Sequence, residues 1–332
     1  MRRFHRSMLD GPLLPSIIQY TVPIIITSVL QLLFNAADLV VVGQFCGSTS
    51  VGAVGATGSV TNLIITLFVG LSSGAGVTVA HAIGSGDQRE VHRTVHTALP
   101  IALIGGVMLT IAGILLAEPI LKAMGTPESI LPLSVIYMRT YFCGMIFNMI
   151  YNFSASILRA AGDTRSPMVF LTIAGVVNVI LNVIFVTVFH MDVMGVALAT
   201  VISQGVSAVL VIHVLKNRTD GCQLVLSKLH IYLPQLKKIV RIGLPAGIQS
   251  SLFSISNTLI QSSINSFGDA MVAGSSAAVN IEGFVYASMN AFQQTSVNFT
   301  GQNVGAHQYA RVKKILGTCI VSVSVVGLLM GV

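Results

Sequence analysis

The sequence predicts an all-α integral membrane protein built as two pseudo-symmetric helical bundles. Three observations point there: an apolar composition, an internal repeat, and basic residues confined to alternate connections. Of the 332 residues, 53% are hydrophobic and only 9% charged, against roughly 25% charged in an ordinary soluble domain. The repeat lays residues 21–93 over 243–314. Val22-Pro23 falls on Leu244-Pro245 and Asn35 on Asn257; after one deletion, Gly84 falls on Gly305 and Val91 on Val312.

A helix needs about 20 apolar residues to cross the hydrocarbon core, and nine stretches of near-spanning length can be marked. They are Ser16–Val42, Ala53–Ile83, Val95–Leu116, Ile130–Leu158, Met168–Phe189, Gly195–Leu215, Ile242–Phe267, Ala273–Asn303 and Ile315–Val332. Sixteen of the 18 Lys and Arg residues lie at the N-terminus (Arg2, Arg3, Arg6) or around the connections after spans two, four, six and eight. Only Lys122 and Arg139 fall elsewhere. Because Lys and Arg collect in cytoplasmic loops, a multi-pass protein of the plasma (inner) membrane with a cytoplasmic N-terminus is expected. The net charge of +7 then follows from topology and attraction to anionic lipid, so it argues for a lipid bilayer and not nucleic acid as partner. The first apolar stretch is too long for a signal peptide. Cys46, Cys143, Cys222 and Cys319 show no CxxC spacing and read as packing residues.

The chain divides into an N-terminal six-helix lobe (1–215), a cytoplasmic linker (216–241) and a C-terminal lobe (242–332). Within the linker, Leu229–Lys238 mixes apolar and basic residues in the manner of a short helix lying at the interface. Internal repeats in an apolar chain mark secondary transporters, where related bundles rock about a site buried between them.

Charge is rare inside the spans and therefore informative. Asp38, toward the outer end of span one, carries an insertion cost of about 2.5–3.5 kcal/mol at mid-helix, and its repeat partner is Ile260. The acid thus belongs to one lobe only. Asn178 and Asn182 share a face of span five, as Thr200 and Gln204 do on span six, and Asn35 lies close to Asp38. One carboxylate with several neutral oxygens suits a proton or a hard cation such as Na⁺; the plainer alternative is ordinary hydrogen bonding between helices. Glu282, whose repeat partner is Thr61, is the second acid. With Asn257, Gln261, Gln204, Asn290, Gln293, Gln294 and the methionines Met145, Met149 and Met289, it is a candidate lining for an adaptable substrate cavity.

Four stretches resemble the multidrug and toxic compound extrusion (MATE) transporter family, and the similarity runs along the whole chain. They are Val22-Pro23 with Ala37-Asp38; Arg159-Ala160-Ala161-Gly162-Asp163-Thr164-Arg165-Ser166-Pro167; Asn178 to Asn182; and Gly301-Gln302-Asn303-Val304-Gly305-Ala306. The resemblance implies two six-helix bundles and export of organic cations and other drugs in exchange for Na⁺ or H⁺, with no cofactor beyond that coupling ion. By the same resemblance, Asp38 matches the family's first-helix carboxylate, and Asn178, Asn182 and Thr200 match polar positions of its N-lobe cation site. Where some members carry a second acid on helix five this chain has Asn182, and Phe253 or a neighbour replaces an acid that another branch has on helix seven. The family pattern also implies that about three of six C-lobe helices are present, so a C-terminally truncated chain is expected, with a non-transporting fragment as one alternative reading; a monomer is expected.

Enzyme readings find no footing, since no HExxH, GxSxG or Walker-type loop occurs. His81, His92 and His96 lack a third ligand partner for a metal. The Gly70 to Gly74 spacing signals close helix packing. A flippase for lipid-linked glycans should carry basic residues inside its spans, and only Arg139 qualifies.

Overall fold

The computed structural model describes residues 8–265 and 269–331. Its α-helices run in the order α1 (Leu13–Phe45), α2 (Ser48–Gly84), α3 (Gln88–Ala123), α4 (Leu131–Cys143), α5 (Met145–Ala160), α6 (Arg165–Thr187), α7 (Asp192–Lys216), α8 (Leu233–Asn265), α9 (Asp269–Gly305) and α10 (Tyr309–Gly331). Apolar chain in a membrane must satisfy its backbone internally, which leaves helices as the available solution. Among the described residues six helices are long and apolar enough to span, or seven when α4 and α5 count as one span broken by a 47° bend. The two that fall outside that set, α8 and α9, are the Ser-, Asn- and Gln-rich ones.

Most helices overrun the apolar windows by a turn or so, because polar residues at the ends continue the backbone ladder. Asp87 starts α3 by accepting from the amides of Arg89 (2.9 Å) and Glu90 (3.0 Å), the usual satisfaction of orphan N–H groups. Span four, expected as one rod, is broken at Gly144. A side chain there would stand 2.9 Å from Gln204 Oε1 and Val201 Cγ2, so the glycine lets α7 pack into the bend. The separate interfacial helix expected over Leu229–Lys238 does not form. Leu226–Lys228 makes a single 3₁₀ turn, and the chain from Leu233 is already α8.

The repeat is visible in the elements. α1 and α8 each have 33 residues and an internal proline, Pro23 and Pro245, while α2 and α9 each have 37. The first seven helices form one bundle around a core that includes Met138, Phe142, Met145, Met149 and Phe153. Met145 and Met149 are fully buried there, so they pack the N-lobe interior and do not line a cavity.

The halves meet along α1 and α2 on one side and α8 and α9 on the other. At the end of the bundle that carries the basic connections, the contact is backbone to backbone. Gly70 and Gly74 of α2 face Gly247 and Gly243 of α8, and a Cβ on Gly74 would lie 2.6 Å from the Gly243 nitrogen. A Cβ on Gly84 would run into the Gln302 carbonyl, and one on Gly305 into the His81 carbonyl. In the repeat register Gln302 corresponds to His81 and Gly305 to Gly84, so these two contacts are one contact seen twice across a pseudo-two-fold axis. The same axis relates Gly74 and Gly243 to Thr295 and Thr21. There, two buried hydroxyls bond each other at 2.8 Å.

Side chains reinforce this seam. The Arg159 guanidinium donates to Gln294 Oε1, Gln302 Nε2 donates to the Ala160 carbonyl (2.7 Å), and Asn303 Nδ2 donates to the Met8 carbonyl (3.2 Å). Tyr20 Oη reaches the Arg159 carbonyl at 2.7 Å. Toward the opposite end, several side chains of α1, α8 and α9 are exposed, among them Asn35, Leu252, Phe253, Tyr286 and Met289.

Two outcomes follow for the seam. Replacing Thr21 and Thr295 by cysteine should yield an intrachain disulfide under mild oxidant, detectable by mass spectrometry of the cross-linked peptides. Gly70→Leu should destabilise the protein by about 1–3 kcal/mol through overpacking, read as a lowered Tm.

Candidate functional site

Asp38 stands seven residues before the end of α1, and its neighbours along the chain explain how it is held. One turn earlier, Phe34 packs onto Gly175 of α6, where any Cβ would occupy the space of the ring. That contact brings α1 close to α6 and sets their register. The next turns of the two helices then bring the Asp38 carboxylate to the amide of Asn182, which donates to Asp38 Oδ1.

The hydrogen bonds continue as a chain through three helices. Asn182 Nδ2 also donates to Asn178 Oδ1 at 3.3 Å, Asn178 Nδ2 donates to Thr200 Oγ1 of α7 at 3.3 Å, and the Thr200 hydroxyl donates to the Val196 carbonyl at 3.0 Å. Both Asn182 N–H groups and the Thr200 hydroxyl are thereby spent. What remains is an acceptor: Asn182 is fully buried, and its Oδ1 has no hydrogen-bond partner among the described residues. A buried amide oxygen left unpaired costs about 1–3 kcal/mol, and here it lies on the side chain that also holds a carboxylate.

An apolar lid covers the site on the side away from the basic end. Val42, Val186 and Val196, each one turn beyond Asp38, Asn182 and Thr200 respectively, form a cluster with Val41, against which Tyr137 of α4 packs. Exclusion of water strengthens electrostatic interactions below it. The arrangement suits neutralisation of the carboxylate by a proton or by a hard cation, for which the Asp38 and Asn182 oxygens are appropriate ligands.

The structure thus brings together Asp38, Asn178, Asn182 and Thr200. Asn35 is not among them; it lies on the exposed face of α1 and makes no bond to the cluster among the described residues. Gln204, grouped at first with the substrate cavity, lies one turn from Thr200 with Oε1 buried against the α4–α5 bend, inside the N-lobe. Glu282, Asn257 and Met289 are exposed on α9 and α8, and the Gln261 side chain lies outside the described residues. Gln294 is engaged by Arg159 in the seam. Phe253 stacks on Tyr286 across α8 and α9, with ring centroids 5.6 Å apart. A cavity of about 440 Å³ between α2 and α8, lined by Leu67, Phe68, Ile248 and Leu252 among others, is apolar and remote from the acid. Among the described residues there is no group of His, Cys, Asp or Glu able to hold a metal. Phe34 and Gly175, which set the position of the acid, carry no signal in the sequence beyond a small residue in an apolar helix.

A carboxylate bonded to a buried amide inside one bundle of a two-bundle, membrane-length helical fold fits a transporter. The chain belongs to the MatE family, whose model matches residues 23–184 and 245–332. The second match begins at Pro245, the repeat partner of Pro23. The chain is 27% identical over 311 residues to the probable multidrug resistance protein YpnP of Bacillus subtilis (strain 168), covering 91% of this chain and 68% of that protein. It is 25% identical to the FAD transporter of Shewanella oneidensis, covering 93% and 69%. Among solved structures it is similar to an outward-facing multidrug resistance MATE family transporter of the MOP superfamily. The TM-score is 0.87 at 26% identity, covering 94% of this chain and 70% of that one. The chain therefore spans about two-thirds of the length of these relatives.

Loss of function should follow the order of the hydrogen-bond chain. Asn182→Ala should be as damaging as Asp38→Asn, whereas Thr200→Val, which removes only the terminal link, should reduce transport several-fold without abolishing it. Initial efflux rates normalised to membrane-inserted protein provide the measurement.

Proposed function

We propose that the protein carrying this sequence is a secondary active efflux transporter, exporting drugs or organic cations in exchange for Na⁺ or H⁺ by alternating access, with Asp38 as the seat of the coupling ion. The observation that carries the reading is the buried Asp38–Asn182–Asn178–Thr200 chain with its unpartnered Asn182 oxygen. Either ion completes it. A proton on Asp38 turns the acid into a donor, from which the Asn182 oxygen accepts once the amide plane turns over. A sodium ion instead takes both oxygens as ligands. In each case a charge that is costly in hydrocarbon is neutralised.

Helix α1 supplies the route from ion to gate. Its outer part holds Asp38 against α6, and its opening turns hold Ile17, Tyr20 and Ile24 in a cluster with Phe292 and Phe299 of α9 and Ile315 of α10. Pro23 lies between, where the missing N–H weakens the helix. A change at Asp38 therefore acts on the element that closes the seam.

The basic end is assigned to the cytoplasm by the positive-inside rule, in an inner, or plasma, membrane, with one chain as the working unit. The seam then seals the cytoplasmic side, and the described conformation is outward-facing, like that of the structural relative above. Glu282, with Asn257 and Met289, is exposed on α9 and α8 and in this reading lines the space between the lobes. An acid there, with no basic residue inside the described C-lobe spans, favours cationic cargo over an anionic dinucleotide such as the one named for the Shewanella relative.

Asp38→Asn should abolish gradient-driven dye efflux while leaving membrane insertion intact; unchanged export by that variant would refute the coupling role. Efflux by wild type in liposomes should respond to an imposed Na⁺ or H⁺ gradient. Export that needs ATP with both gradients collapsed would reject secondary transport.

A further inference from the structure

The segment between the lobes is not a free tether. Residues 217–232 fold back onto the start of α3, and four of their backbone amides are bonded there. Gly221 N donates to Gln88 Oε1 at 3.0 Å, His230 N to the His96 carbonyl at 3.3 Å, Tyr232 N to Thr97 Oγ1 at 3.1 Å, and Val225 N to His96 Nε2 at 3.1 Å. His96 is fully buried, and its Nδ1 lies 2.8 Å from the His92 carbonyl. The neutral tautomer with hydrogen on Nδ1 therefore satisfies both ends of the ring. A Cβ on Gly221 would displace Gln88 Oε1 and so disturb the bond that this oxygen accepts from Gly221 N.

This folding leaves a pocket of about 370 Å³ lined by Gln88, Arg89, His92, Arg93, Gly221 and Tyr232. Its charge is one-sided. The nearby acids are engaged elsewhere: Asp87 caps α3, Glu90 pairs with Lys238, and Asp220 pairs with Arg218. Among the described residues neither Arg89 nor Arg93 has a carboxylate within ion-pair distance. Arg93 lies over the Tyr232 ring, 5.5 Å from its centroid, which holds the guanidinium plane while leaving its edge N–H groups open. Arg89 and Arg93 are one turn apart and share a helix face, with His92 beside them. Two guanidinia, an imidazole and a phenol-bearing ring around one concavity match the oxygens of a phosphate group, which arginine recognises by bidentate charge-assisted bonds. The pocket also lies at the polar end of a membrane-length helix: from Thr94 to Ala117, α3 carries no Lys, Arg, Asp or Glu.

We propose that this pocket is a binding site for a phosphate group, with an anionic phospholipid headgroup or a soluble phosphate as its source, and that occupancy clamps the inter-lobe linker onto α3. The site rests on the membrane-spanning architecture and not on ion coupling at Asp38, so its test uses binding and not transport.

The purified full chain in detergent would be titrated with phosphatidylglycerol and, separately, phosphatidylcholine, and bound lipid counted by native mass spectrometry. Phosphatidylglycerol should bind wild type and R89Q/R93Q with affinities that differ about tenfold or more. K313Q/K314Q, which removes the same charge from exposed positions on α10, should bind within about twofold of wild type. In a second arm, inorganic phosphate at millimolar concentration is added. Displacement of the lipid shows that soluble phosphate also takes the site, and retention identifies the lipid as its source. Equal phosphatidylglycerol binding by wild type and R89Q/R93Q overturns the proposal, as does an equal loss in K313Q/K314Q, which would signify general surface charge.

A linker cysteine reports whether the variants keep the fold. Cys222 is buried beneath the linker; burial, with a smaller contribution from the Asp220 carboxylate, pushes its thiol up to about 12. Thiolate forms only as pH rises through that value, so at pH 8 Cys222 should stay unlabelled by maleimide in wild type and in properly folded R89Q/R93Q. Denaturation should expose it in both.

Discussion

Everything in this molecule depends on how closely two helix backbones can approach without side chains between them. Where Gly70 and Gly74 meet Gly247 and Gly243, the lobes touch through main-chain atoms. In a bilayer such contact is held by dispersion and weak polar interactions, since lipid provides no hydrophobic drive for helices to associate. The pseudo-two-fold partner of that contact is not glycine but the Thr21–Thr295 hydroxyl pair. One half of the seam is thus smooth and the other hydrogen-bonded, an asymmetry that resembles a sliding face set beside a latch. The Arg159–Gln294 bond and the Gln302 bond to Ala160 lie on the latch side.

A second close approach, between Gly175 and Phe34, does for the acid what the seam glycines do for the lobes. It fixes the separation of α1 and α6, so the Asp38 carboxylate meets an amide donor and not a leucine. A single bond to Asn182 stands against a desolvation cost of several kcal/mol for a buried ion. The unspent Asn182 oxygen beside it makes the site complete only when something positive arrives. Because α1 also supplies Thr21 to the latch, the acid and the gate share one rod with a proline between them.

Much of this was legible in the sequence. The repeat, the isolation of Asp38, and the four-residue spacing of Asn178 and Asn182 needed only pattern and the rarity of polar groups in apolar helices. Helix faces were not legible. A helix that is hydrophobic all round carries little amphipathic signal, so Met145 and Met149 read equally well as cavity lining or as core, and the structure buries them. Asn35 looked like a partner of Asp38 by proximity in sequence, yet Phe34 takes the place against α6 one turn before the acid and Asn35 stays exposed beside it. The linker's anchoring through His96 lies some 130 residues away in sequence and rests on backbone amides, which no residue pattern announces.

The central claim is that a single carboxylate in the N-lobe takes up the coupling ion. Infrared difference spectroscopy on the purified protein, with Na⁺ added or pH stepped, tests it most directly. The account predicts an ion-induced change in one carboxyl band that is absent in Asp38→Asn and displaced in Asn182→Ala. A difference spectrum with no carboxyl change, or one that survives Asp38→Asn unaltered, would contradict it.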